Sequence, residues 1–194
     1  MENQFFYSTL NQLHPITAKA WDDLNMTLEE KNIRKNAFLI SEGEKASYCY
    51  FLVEGVVRVF YSNGESEYNK TFFVEGTFPT PLTALLSAAP SQLNFQALTP
   101  VKLLRFSYAS FRGLFNTHRC LELLFLKIME FNWIKKEQHD IRMVTNSATV
   151  NYQIFQEEFP KLEQLIPQYH IASYLGITPI QLSRIRAKLA NSAS

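Results

Sequence analysis

The sequence predicts an α+β chain in three parts: an N-terminal antiparallel β barrel or sandwich, a long helix, and a C-terminal all-α helix-turn-helix. Three observations predict it. Short runs rich in aromatic and β-branched residues recur between residues 37 and 106, broken by Gly43, Gly55, Gly64 and Gly76 at spacings of 12, 9 and 12; many short strands with regular turns make a sandwich or barrel. Thr117 to Val144 then holds neither proline nor glycine. From His170 to Leu189 two short apolar stripes of helical period flank Gly176. The expected domains are 1–116, 117–144 and 145–194.

Residues 1–35 read as helical and polar. Trp21, Leu24 and Leu28 form one amphipathic stripe, and Thr27 with Glu30 has the spacing of a capping box. The expected strands are Ala37–Ile40, Tyr48–Val53, Val56–Tyr61, Tyr68–Val74, Leu93–Leu98 and Val101–Phe106. Glu54-Gly55 and Asn63-Gly64 are hairpin signals between them. Phe78–Pro90, with three prolines, is expected to be a short helix plus loop. Ser107–Phe115 is a short helix.

The long helix is apolar nearly all round over Leu121–Ile134. A helix apolar on every side must be buried on every side. One face can pack on its own barrel; the other is expected to meet the same helix of a second subunit about a two-fold axis, unless a single subunit buries both. The expected dimer contacts are Leu121, Leu124, Phe125, Ile128 and Phe131. Lys135–Arg142 is mostly polar. Val150–Phe159 is a further helix, ended by Pro160.

In the last segment Ile171, Ala172 and Leu175 form one stripe. Gly176 ends that helix, because glycine takes the left-handed conformation cheaply. Thr178 is the N-cap of the second helix and Pro179 its first residue. Leu182, Ile185 and Leu189 are its buried face. Gln181, Ser183, Arg184, Arg186 and Lys188 are expected to turn away from that stripe, and are side chains that contact phosphates and base edges. Residues 161–194 carry Lys161, Arg184, Arg186 and Lys188 against Glu163, a net of +3; the other 160 residues carry 15 basic and 17 acidic groups, a net of −2. Segregated positive charge is the footprint of a DNA-binding module; a helical hairpin with a solvated basic face is the alternative.

The composition, 46% hydrophobic and 19% charged, supports a substantial core. No apolar run reaches the roughly 18 residues that span a bilayer, and Met1–Tyr7 lacks a basic signal-peptide region, so a cytoplasmic protein without membrane contact is expected. Cys49 and Cys120 read as buried free thiols. His14, His118, His139 and His170 have no partners at triad or metal spacing; no catalytic residue, metal or cofactor is expected.

Gly43-Glu44 followed by Tyr50-Phe-Leu-Val-Glu-Gly55, then Glu75-Gly-Thr-Phe78, then Ile171-Ala-Ser-Tyr-Leu-Gly-Ile-Thr-Pro179 with Leu182-Ser-Arg-Ile-Arg186, together resemble the Crp/Fnr family of bacterial transcription regulators, in particular its short Bacteroidetes-type members. The resemblance covers about residues 15 to 189 and is most specific in the last segment. It implies a cyclic-nucleotide-binding-type jelly roll, a homodimer, and double-stranded DNA as partner, read by Thr178, Pro179, Gln181, Ser183, Arg184, Arg186 and Lys188. RNA polymerase is a further implied partner. The effector pocket it implies is Phe78, Thr80, Pro81, Leu82, Ser91 and Gln92.

The chain departs from the family in two places. Members that bind cyclic AMP use a Glu for the ribose and, ten residues later, an Arg with a Ser or Thr for the phosphate. Counted from Gly76, these positions are Pro81, Ser91 and Gln92, which supply neither acceptor carboxylate nor cation. The barrel is therefore expected to bind another small molecule or none. Where many relatives carry a Glu that accepts from a cytosine amino group, this chain has Ile180; Arg184 keeps the arginine that forks onto guanine. A different or looser site preference is expected. A sensory protein whose C-terminal module docks on protein is the alternative.

Overall fold

A computed structural model describes residues 1–192; positions 193 and 194 of the expected C-terminal domain lie outside the described residues. The N-terminal part is two antiparallel sheets. In chain order it comprises α1 (Glu2–Leu13), α2 (Ala18–Asn25), β1 (Glu29–Ile33), β2 (Phe38–Ile40), β3 (Tyr48–Glu54), β4 (Val57–Ser62), β5 (Glu67–Phe73), α3 (Leu82–Ser87), β6 (Asn94–Ala97), β7 (Val101–Ser107) and α4 (Tyr108–Leu114). One sheet has the order β1-β7-β3 and the other β2-β6-β4-β5.

Period-two alternation explains the packing. On β3, Tyr50 and Leu52 point between the sheets to meet Val57, Val59, Phe95 and Leu103. Cys49 and Phe51 point the other way, onto Phe6 and Leu10 of α1 and Leu24 of α2. Both faces of this strand are thus buried, as its near-continuous apolar run requires. Burial pushes the Cys49 thiol up to about 12; Cys120 is only half-buried, which corrects the expectation for that residue. At the β3–β4 turn Gly55 has φ +99°, and a Cβ there would lie 2.4 Å from the Pro100 carbonyl oxygen, so only glycine fits.

The six expected strands form, and so do the helix within 78–90 and the helix after β7. β1 and the Thr27 cap correct the reading of residues 1–35. Helix α2 stops at Asn25, capped at its start by Thr17, whose hydroxyl accepts from Ala20 N. The Thr27 hydroxyl instead donates to Leu24 O, and Glu30, in β1, pairs with Leu104 of β7. β1 is almost wholly exposed; its register sets Glu29 opposite Arg105, joined at 2.7 Å.

The long helix is α5 (Arg119–Thr145), followed by α6 (Ala148–Glu158), α7 (Leu162–Leu165), α8 (Gln168–Tyr174) and α9 (Pro179–Ser192). Its first turns bury one face in the chain's own core. Leu121 and Leu124 are 0% and 1% exposed within the single chain, packed on Phe111 and the α1–α2 layer, with Phe125 and Ile128 half-buried beside them. Leu121 and Leu124 have no surface to give a partner, which corrects their assignment as interface residues. Further along, Leu126, Phe131, Trp133 and Ile134 are about half exposed or more.

Candidate nucleic-acid interface

Helix α8 seats the C-terminal module. Ile171, Ala172 and Tyr174 are buried, with Tyr152 and Phe155 of α6 and Leu162 of α7. The chain then turns through Gly176 at φ +66°, and Ile177 N donates to Ala172 O, a bond that closes the helix end. At the start of α9 Thr178 and Gln181 cap each other. Gln181 N donates to Thr178 Oγ1 at 3.2 Å, and Thr178 N donates to Gln181 Oε1 at 2.9 Å. The two expected contact residues Thr178 and Gln181 thus also fix where α9 begins, with Pro179 at its first position.

Leu182 is fully buried and Ile185 and Leu189 half-buried, so α9 has one inner face. Ser183, Arg184 and Lys188 lie on exposed positions. Arg186 does not join them. It stands four residues after Leu182 and so falls on the inner side; it is half-buried, and its Nη1 is buried without a hydrogen-bond partner. That corrects its placement on the outward face. The described residues between α6 and α8 hold α7 and no wing hairpin.

Sequence reasoning missed the contact between this module and the barrel. Arg58 of β4, Asn69 of β5 and His170 of α8 are 5%, 1% and 4% exposed. Arg58 Nε donates to Gln96 Oε1 at 2.8 Å, and Arg58 Nη1 donates to Glu67 Oε2 at 2.5 Å. Nη1 also lies 3.2 Å from His170 Nδ1. Asn69 Nδ2 donates to His170 O at 3.0 Å. Ser173 completes the seam: it accepts from Asn69 N and donates to Glu67 O. The Arg58 guanidinium rests on the Phe60 ring at 3.7 Å. Burial first, and the Arg58 charge second, hold the imidazole of His170 down at about 4, so it is neutral near pH 7. Phe72 of β5 adds an apolar contact, packing its ring on Phe155, Phe159 and Tyr174. No periodic pattern marks Arg58 and Asn69; each is a polar residue in a strand, and only the arrival of α8 buries it.

The expected effector positions are engaged by the barrel, by α1 or by their own loop. Phe78 packs on Phe51 and Phe6. The Thr80 hydroxyl accepts from Tyr50 N at 2.9 Å. Pro81 is buried ahead of α3, and Leu82 is the first residue of that helix. The Ser91 hydroxyl donates to Leu93 O at 2.7 Å, and Gln92 is exposed. None of the six carries a charge. Among the described residues no group of three or more His, Cys, Asp or Glu could hold a metal ion, and no helix is long and apolar enough to cross a membrane.

Residues 30–118 match the cyclic nucleotide-binding domain family. No curated protein sequence gives a significant match. Among solved structures, FixK2 from Bradyrhizobium japonicum superposes with a TM-score of 0.73 at 18% identity, covering 86% of this chain and 86% of that one. The c-di-GMP-responsive global regulator CLP from Xanthomonas campestris superposes at 0.68 with 15% identity, covering 91% and 93%. A Crp/Fnr-family regulator from Eubacterium rectale gives 0.72 at 10% identity, over 96% and 88%. Residues 30–118 therefore match the cyclic nucleotide-binding domain family, and the chain as a whole has a fold seen in a Crp/Fnr-family transcription regulator.

Proposed function

We propose that this chain is a homodimeric, DNA-binding transcription regulator of the Crp/Fnr type, with a regulatory and not an enzymatic role. The observation that carries the reading is the capped α8–turn–α9 unit, which holds Ser183, Arg184 and Lys188 on exposed positions of a net-positive module. A short helix whose N-terminal half offers an arginine and small polar groups is what a major groove accepts. The exposed apolar residues of α5 beyond Leu126, with Phe131 among them, support pairing with a second copy. Two paired modules then read two half-sites. RNA polymerase is the protein partner this reading implies.

The barrel is proposed to answer to a small molecule other than cyclic AMP, or to none. The uncharged cassette of Pro81, Ser91 and Gln92 supports this. The fold itself is not tied to cyclic AMP, since one structural neighbour is described as responsive to c-di-GMP.

Selection of bound duplexes from a random pool, followed by titration at several salt concentrations, tests the reading. The expected result is an enriched near-palindromic site whose affinity falls steeply with salt, because each phosphate contact releases counterions. No enrichment, with retention of a protein partner insensitive to salt, would favour the docking alternative.

A further inference from the structure

Resting on the DNA-binding reading above, we infer that Ile180 is a base-reading residue that selects thymine through its 5-methyl group. Ile180 is 66% exposed, and is the one exposed large hydrophobic on α9 among the described residues. At 3.6 residues per turn, Ile180 and Arg184 each lie within about 20° of the line opposite buried Leu182. They form the outermost stripe of the helix, one turn apart. The Thr178–Gln181 cap fixes the first turn, so Ile180 is presented at a set angle. That turn carries no acidic residue, and hence no carboxylate for a cytosine amino group.

An isoleucine at a base edge has neither donor nor acceptor. Set against a cytosine amino group, or against the N6 and N7 of adenine, it would strip water from polar atoms and return no hydrogen bond, which is costly. The thymine methyl is the one apolar feature of the major-groove edges. Four residues of helix rise about 6 Å, and base pairs stack about every 3.4 Å. The thymine therefore lies within about two base pairs of the guanine that Arg184 reads.

The test uses the intact protein and the site enriched by random selection. First, Arg184→Ala identifies the guanine whose preference is lost; a thymine is expected within two base pairs of it, and its absence overturns the inference. Second, that thymine is replaced by deoxyuridine, which removes only the methyl group. The loss of one methyl contact is expected to weaken binding about fourfold per half-site. Ile180→Ala should bind the two duplexes alike, and should match the parent on the deoxyuridine duplex. Equal binding of both duplexes by the unmutated protein overturns the inference while leaving the DNA reading intact. Failure to bind any duplex overturns both. The duplex change is made on the unmutated protein, so the result does not depend on how the variant folds.

Discussion

Acidification should loosen the seam between the barrel and the helix-turn-helix through His170. The imidazole is 4% exposed, with Arg58 of β4 3.2 Å from Nδ1, Asn69 of β5 beside it, and Glu67 as the nearby acid. Its folded pKa is about 4, against an ordinary 6.5. A base whose pKa is depressed by folding keeps its full stability above 6.5. It loses that stability as the pH falls toward 4, because the unfolded chain then binds the proton more readily. At pH 5 the unfolded histidine is mostly protonated and the folded one mostly not. At about 1.36 kcal/mol per pH unit over roughly 1.5 units, the loss is about 2 kcal/mol. The assay is urea unfolding at pH 7.5 and pH 5, on the parent and on His170→Gln, which removes this titration while His14, His118 and His139 remain. The parent should lose about 2 kcal/mol more than the variant between the two conditions. Equal losses in both proteins would refute the assignment of a buried neutral histidine at this seam.

Three further outcomes follow, two from the burial pattern of α5 and one from the cassette. Phe131→Lys combined with Trp133→Lys should yield monomers by light scattering with little change in unfolding midpoint, since both side chains are more than half exposed. Leu124→Ala should instead cost about 2–5 kcal/mol of stability by denaturant titration and leave the assembly state unchanged, because it opens a cavity in the chain's own core. Calorimetry with millimolar cyclic AMP should give no binding heat; a micromolar dissociation constant would mean that charged residues outside Pro81, Ser91 and Gln92 complete the pocket.

Much of this architecture is legible in the residues. The glycine-spaced aromatic runs become β2 to β7 with only small shifts at their ends, because alternation and turn chemistry agree there. The helix-turn-helix is legible for the same reason: stripe, glycine, cap and proline all fall in register. β1 is not legible, since Glu29-Glu-Lys-Asn carries no apolar alternation; its place comes from hydrogen bonds and an ion pair to β7. The all-round apolar character of Leu121–Ile134 shows that two faces need cover, but not which residue belongs to which face. Leu121 and Leu124 complete the chain's own core with Phe125 and Ile128 half-buried beside them, while Leu126, Phe131, Trp133 and Ile134 stay exposed. Arg186 carries a charge suited to the outer face, but its position four residues after Leu182 sets it on the inner one. Arg58 and Asn69 are invisible to any periodicity argument, as their burial depends on a helix a hundred residues later in the chain.

Affinity measured on several duplexes decides whether α9 reads DNA through its outward face. A bidentate arginine–guanine contact is worth roughly 1–3 kcal/mol of discrimination. Arg184→Ala should therefore bind the selected site about ten- to a hundredfold more weakly and lose preference at one base per half-site, while non-specific duplexes change little. Lys188→Ala should weaken every duplex alike and lower the salt slope by about one per subunit, as loss of a phosphate contact does. If both variants match the parent on every duplex at every salt concentration, this face does not read DNA.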